Sequence, residues 1–229
     1  YEHVLARIEE DIEEDYEVEA FKAIWASCDG LARDELLELT GMSPVKWAEI
    51  QNILDENLFE SGGQITFGNQ FIRKAVEDMH LPGDEDKRSA HRWLGEWFDK
   101  RKVTLDVARE RVHQWREAGD LDRFRDCLLE QQVFQELYGH DKYALLGHWI
   151  ELGEDVGEAY EKAYGKWTDR EKLAENLADF LWVAGSVGEF REKLCRRELE
   201  GKEKALGPDH PKTLKSVNSL GTMLSTKGD

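Results

Sequence analysis

A mainly α-helical chain, with a small unit of helices and one hairpin followed by an array of helical hairpins, is the fold the sequence predicts. Three observations predict it. Only four prolines occur, Pro44, Pro82, Pro208 and Pro211, so residues 83–207 hold nothing of the kind that breaks a helix. Apolar residues recur with the helical period almost throughout, and strand-like patterning is confined to residues 58–67. In the second half, glycines 119, 153, 185 and 228 follow one another at 34, 32 and 43 residues, the spacing of a stacked repeat.

The acidic N-terminal stretch comes first. Residues 1–19 carry nine acids and one base, and Glu9 to Asp15 is almost wholly acidic. No glycine turn or alternating ligand pattern supports a calcium loop, so a solvated acidic helix or linker is expected.

Residues 20–80 read as a compact unit. Phe21, Ile24, Trp25 and Cys28 share one face of a helix ended by Gly30. Leu31, Leu36, Leu37 and Leu39 mark a second helix that stops at Gly41. Ser43 caps a third, Pro44 takes its first turn, and Trp47, Ile50 and Leu54 form its apolar face. Two short segments, 58–60 and 64–67, flank Ser61-Gly62-Gly63 as a hairpin. Phe71, Ile72, Ala75, Val76 and Met79 then mark a closing helix. Three helices, a hairpin and a helix is the order of a winged helix. The third helix, taken as Ser43 to Glu56, sets Lys46 against Glu49, Asp55 and Glu56, and the wing tip has no base. A recognition helix needs positive charge facing phosphate, so protein packing rather than DNA binding is expected. Residues 81–104 follow as a connector helix whose stripe Ala90, Trp93, Leu94, Trp97 and Phe98 reads as core.

From 105 to 229 the chain reads as tetratricopeptide-like hairpins. Glu117 to Arg125 parallels Val183 to Arg191, and Leu177, Ala178, Leu181 and Gly185 recur as Leu220, Gly221, Leu224 and Gly228. Each glycine is expected to end a helix in the left-handed conformation. Ser186 with Glu189, Asp155 with Glu158 and Thr168 with Glu171 are expected caps for the helices that follow. Gly207, Pro208 and Pro211 separate the last two helices. The final helix carries Leu214, Val217, Leu220, Met223 and Leu224 on one side, a face expected to be covered only in part. The chain opens on Tyr1 and stops at Gly228-Asp229, between helices expected to pair, so it reads as an excerpt truncated at its C-terminal end.

Two resemblances bear on function. The stretch from Leu173 to Asp229, with its linker Leu206-Gly207-Pro208-Asp209-His210-Pro211, resembles the long tetratricopeptide repeat of kinesin light chains and of NTPase-coupled arrays. Phe67 to Val76, His91 to Phe98 and His148 to Gly153 resemble the winged helix and connector of STAND signalling NTPases with NACHT-type modules, the nephrocystin-3 kind among them. In that family a histidine often stands at the position of Asn69 and senses the nucleotide phosphate. Asn69 is therefore the candidate nucleotide-sensing position, with its side chain changed. The resemblance implies ATP or ADP in a module upstream of Tyr1, and no cofactor in this segment.

The composition fits such a segment. The 229 residues carry 31 Lys and Arg against 49 Asp and Glu, net −18, and 35% are charged, against about 25% in an average domain. That charge argues against nucleic acid and anionic membrane as partners. Apolar runs such as Phe180 to Ala184 fall far short of a bilayer span, and no signal peptide is read, so a cytoplasmic location is expected. Cys28, Cys127 and Cys195 have neither metal-site nor disulfide spacing and read as free, mostly buried thiols. No phosphate-binding loop, HExxH, GxSxG or CxxC occurs, and the histidines are scattered. The expected function is a non-catalytic, regulatory segment. Its winged helix would pack on the upstream NTPase module in cis, and its hairpins would bind a protein or peptide. Asn176, Asn218 and Lys215 are the candidate groove residues. A repeat scaffold or adaptor without an NTPase, in transport or at a cilium, is the alternative.

Overall fold

The computed structural model describes residues 16–54, 57–186 and 188–228, with side chains to Ser225. The acidic run from Glu9 to Asp15, and Asp55 and Glu56 of the third helix, lie outside the described residues. The described chain is a mainly α-helical repeat array with one small sheet. It divides into two compact units, Tyr1–Lys102 with Arg109–Phe124, and Val103–Ala108 with Arg125–Asp229.

The first unit begins with α1 (Tyr16–Ala26), β1 (Leu31–Ala32), α2 (Arg33–Thr40) and α3 (Pro44–Leu54). The hairpin β2 (Leu58–Ser61) and β3 (Gln64–Phe67) follows, then α4 (Gln70–His80) and α5 (Asp84–Phe98). The strands form an antiparallel sheet in the order β1-β3-β2, with Leu31 opposite Ile65 and Ser61 opposite Gln64. Phe21, Ile24, Trp47, Ile50, Leu54, Ile65, Ile72 and Val76 are buried, so the helical faces read from the sequence do form the core.

Several local expectations are corrected. Helix α1 starts at Tyr16, so the boundary expected at residue 20 falls inside a helix, and it ends at Ala26, which leaves Cys28 beyond it and exposed. Leu31 lies in a strand rather than opening a helix. Gly30 does not end α1 but lets the chain pass against β3. It has φ 97°, and a Cβ there would stand 2.6 Å from Thr66 Cγ2 and 2.7 Å from the Ile65 carbonyl oxygen. Phe71 is exposed, because the N-cap of α4 turns the first residue of that apolar set outward.

Helix α6 (Leu105–Glu117) gives its residues from Arg109 onward to the first unit, so the repeats expected from 105 do not begin where the compact units divide. The reason is a polar clamp on the end of α1. Gln114 Nε2 donates to the Ala26 carbonyl oxygen at 3.0 Å and to Glu110 Oε2 at 2.8 Å, and Gln114 Oε1 lies 2.7 Å from His91 Nδ1. His113 Nε2 reaches the same Ala26 oxygen at 3.2 Å. Glu110 Oε1 accepts from the Cys28 backbone N–H at 2.9 Å. These bonds satisfy the end of a helix and the loop beyond it, groups no intrahelical partner can reach. Burial pushes the Glu110 carboxyl up to about 7 despite its donors, and lowers His113 to about 4.

The remaining helices are α7 (Leu121–Leu129), α8 (Gln131–Leu152), α9 (Val156–Tyr164), α10 (Arg170–Val183), α11 (Glu189–Leu206) and α12 (Pro211–Gly228). Helix α8 is broken at Asp141, whose carboxylate caps the second half by accepting from the N–H groups of Tyr143 and Ala144. The helix-ending glycines behave as expected. Gly119, Gly153 and Gly185 all have positive φ, and at the last the Ser186 N–H bonds Leu181 and the Gly185 N–H bonds Trp182 in a Schellman turn. Of the three expected caps, Asp155 alone forms, accepting from the Glu158 N–H at 2.8 Å. Gly188, not Ser186, stands at the N-cap of α11, and Thr168 instead donates to Gln131 Oε1 through its N–H and hydroxyl. Phe134, Tyr160, Trp167 and Phe180 form an aromatic core within the second unit, their ring centroids 5.2–5.9 Å apart.

Candidate functional site

Helices α10, α11 and α12 each bring one side of their surface to a common groove of about 320 Å3. The residues fall into three sets of one spacing, i, i+4, i+7. They are Glu175, Asp179 and Trp182 on α10, Arg191, Cys195 and Glu198 on α11, and Lys215, Ser219 and Thr222 on α12. That spacing places three residues on one helical face. Ala178 keeps the floor low between them, and Ser216 completes the α12 wall.

The acids of the groove are already engaged. Asp179 Oδ2 accepts from the Tyr138 hydroxyl at 2.9 Å and from Lys142 at 2.6 Å. Glu198 Oε1 takes the Lys202 ammonium at 2.7 Å and the Ser216 hydroxyl at 2.7 Å, and Lys202 also pairs with Glu175 at 3.1 Å. The cations are not. Lys215 forms no ion pair among the described residues, and α12 as a whole contains lysines and no acid.

Arg191 is the most unusual group. It is 4% exposed, its guanidinium carbon stands 4.5 Å over the Trp182 ring, and its Nε reaches the Ala178 carbonyl oxygen at 3.4 Å. Its Nη1 is buried without a hydrogen-bond partner. Burial pulls its pKa down, against Cys195 and Asp179, which raise it. Trp182 itself is 47% exposed, an aromatic face open to a ligand. Burial raises the Cys195 thiol, which disfavours the reactive thiolate.

Of the residues read from the sequence, Lys215 lines this groove. Asn176 and Asn218 do not. Asn176 is half-buried one position from the Glu175 face, and Asn218 is exposed, its carbonyl accepting from Thr222. Asn69 caps α4, its Oδ1 accepting from the N–H groups of Phe71 at 3.0 Å and Ile72 at 3.1 Å. Its carboxamide oxygen is thereby committed to the fold. Trp182 and Arg191 were missed by sequence reading, although the shared i, i+4, i+7 spacing was there to be read.

A larger hollow of about 710 Å3 lies among Arg125, Leu129, Ala159, Lys162, Lys166 and Trp167. Its indole is satisfied by the Leu129 carbonyl at 3.0 Å, and no buried unpartnered polar atom faces it among the described residues. Among the described residues, no cluster of three His, Cys, Asp or Glu could hold a metal ion, and no helix is long and apolar enough to cross a membrane.

No family model matches the chain, and no solved structure does. It is similar to nephrocystin-3 of Homo sapiens, 26% identical over 97% of the chain and 19% of that protein, and to nephrocystin-3 of Mus musculus, 26% identical over 95% of the chain and 18% of that protein. It is also similar to a TPR repeat-containing protein of Dictyostelium discoideum, 27% identical over 65% of the chain and 9% of that protein. The chain thus spans less than a fifth of the length of these relatives.

Proposed function

We propose that this chain is a non-catalytic segment of a larger protein whose tetratricopeptide-type hairpins bind an extended peptide or protein segment in the groove of α10, α11 and α12. The observation that carries this reading is the meeting of three i, i+4, i+7 faces around a concave groove that holds an open tryptophan and unpaired cations. Similarity to a TPR repeat-containing protein supports it. A random-peptide display selection against the 229-residue chain tests it. Enriched peptides should bind in solution, and Ser219→Trp, which fills the groove from an exposed position, should weaken them at least tenfold. No enrichment, or binding indifferent to Ser219→Trp, rejects the reading.

The regulatory context is part of the same proposal. Residues 20–80 act as a winged helix that packs on a STAND-type nucleotide-binding module preceding Tyr1, and ATP or ADP belongs to that module. The order helix, strand, helix, helix, hairpin, helix supports the winged-helix reading, and similarity to nephrocystin-3 over nearly the whole chain supports the parent context. The proposed location is the cytoplasm, and nucleic acid and membrane are not among the proposed partners. A scaffold without an NTPase would have no phosphate-binding loop in the preceding residues, so the parent sequence decides between the two.

A further inference from the structure

We propose that Arg191 anchors an internal Asp or Glu side chain of the bound peptide, with Lys215 as the second cation and Trp182 as the apolar wall beside it. This rests on the peptide-groove reading above and adds the chemistry of the ligand.

The argument starts from an imbalance. A guanidinium carries five donors and no acceptor. Arg191 is almost wholly buried, yet it makes only the long bond to Ala178, and its Nη1 meets no acceptor. A buried donor left unmade costs free energy, and an orphaned charged one more so. The obvious internal partner, Asp179, is held instead by Tyr138 and Lys142. Glu198, on the same face of α11 as Arg191, is held by Lys202 and Ser216. The groove therefore neutralises its own acids and leaves its cations uncompensated. What is missing is an acceptor, and it has to come from outside.

The geometry favours a charged one. Stacking on Trp182 fixes the guanidinium plane before any ligand arrives, so little side-chain entropy remains to be lost on binding. A planar fork held in place matches a carboxylate with two parallel hydrogen bonds, roughly twice the strength of neutral ones. On the α12 wall, the hydroxyls of Ser219 and Thr222 donate back to the carbonyl oxygens of Lys215 and Asn218. Their oxygens can then only accept, which suits ligand backbone N–H groups. Donors on the floor and acceptors on the wall together describe an extended peptide bearing an acid.

The test uses end-blocked ten-residue peptide libraries, randomised except for one fixed central residue, Asp, Glu, Asn, Gln or Lys. Blocked termini remove terminal carboxylates as a source of binding. The acid sets should retain the 229-residue chain at least tenfold better than their amide counterparts. Arg191→Gln should abolish that preference, and Lys215→Gln, an exposed change that leaves the core intact, should reduce it severalfold. If Arg191→Gln unfolds the chain, Lys215→Gln decides alone. Equal retention of acid and amide sets, with binding still blocked by Ser219→Trp, overturns the proposal and leaves the peptide groove standing. Loss of all retention, or retention indifferent to Ser219→Trp, overturns both.

Discussion

Glu110→Gln removes an ionisation from the interior of the first unit while keeping the size of the side chain. Its effect on stability should depend steeply on pH. In the folded chain the Glu110 carboxyl is raised from 4.5 to about 7. The native state then holds a proton that the unfolded state releases between those values. The stability linked to Glu110 is full below pH 4.5 and is lost as pH rises through 7, roughly 3 kcal/mol in all. His113 works in the opposite sense. Lowered from 6.5 to about 4, it contributes fully above pH 6.5, and its stability is lost as pH falls through 4. The size is comparable but smaller, because part of the ring meets solvent. His91 is lowered too and adds to the His113 slope. Between pH 4.5 and 6.5 the two slopes offset, so this cluster leaves the wild-type profile nearly flat. Glu110→Gln uncovers the histidine slope, and stability should rise by about 2 kcal/mol from pH 4.5 to 6.5. His113→Gln should uncover the opposite slope. Urea unfolding at half-unit pH steps, followed by first-unit amide resonances, reads both. A difference between Glu110→Gln and wild type that stays constant within about 0.5 kcal/mol over that range refutes the reasoning, since RT ln 10 per pH unit admits no such result for a shifted group.

Other expectations can be checked by the same unfolding measurements. Gly30→Ala should cost about 2 kcal/mol or more, since positive φ and a Cβ collision with β3 act together, whereas Gly185→Ala, with open space around it, should cost about 1 kcal/mol from φ alone. Equal costs would show that the approach of Gly30 to Thr66 relaxes freely. Gln131→Ala should destabilise the second unit by about 1–2 kcal/mol, because one carboxamide oxygen serves the N–H groups of both Thr168 and Asp169. Asn69→Ala should cost about 1 kcal/mol through loss of the α4 cap. The 229-residue chain should neither bind nor hydrolyse ATP in titration calorimetry and phosphate-release assays. Hydrolysis abolished by a point change within it would contradict the non-catalytic reading.

The helical faces were legible because burial at a 3.6-residue period is a local property of the sequence. Trp47, Ile50 and Leu54 are buried as their spacing implies, and Gly185 has the positive φ expected of it. What failed was decided by distant partners. Leu31 belongs to an apolar set that fits a helix, but pairing with Ile65 across 34 positions makes it a strand. Ser186 and Thr168 have good cap chemistry. The Schellman turn engages the backbone of Ser186 at the end of α10, and Gln131 captures Thr168. The clamp on α1 illustrates the same limit. Glu110, His113 and Gln114 read as an ordinary polar stretch of α6, and only the approach of Ala26 and Cys28 gives them a role.

The groove failed for a different reason, and the reason bears on how such sites arise. Amide side chains were chosen because they can hold a peptide backbone, and helical spacing alone does not say which turn faces inward. Asn176 and Asn218 each sit one position from a lining residue, Glu175 and Ser219, about 100° around the helix. Lys215 lies on the lining face itself. The inward turn is fixed by the small residue that must sit beneath the groove, and Ala178 supplies it on α10. Counting i, i+4 from Ala178 gives Trp182, and one position behind Ala178 and Asp179 lie the turns that point away. On α11, Arg191 meets Trp182 because the Gly185 turn sends the chain back at once, so the last turn of one helix faces the first turn of the next. A buried arginine in that corner is held by an aromatic face rather than by an acid. Stacking satisfies the ring plane but not the N–H donors at its edge, so the fold positions the guanidinium while its hydrogen-bonding capacity stays largely unspent.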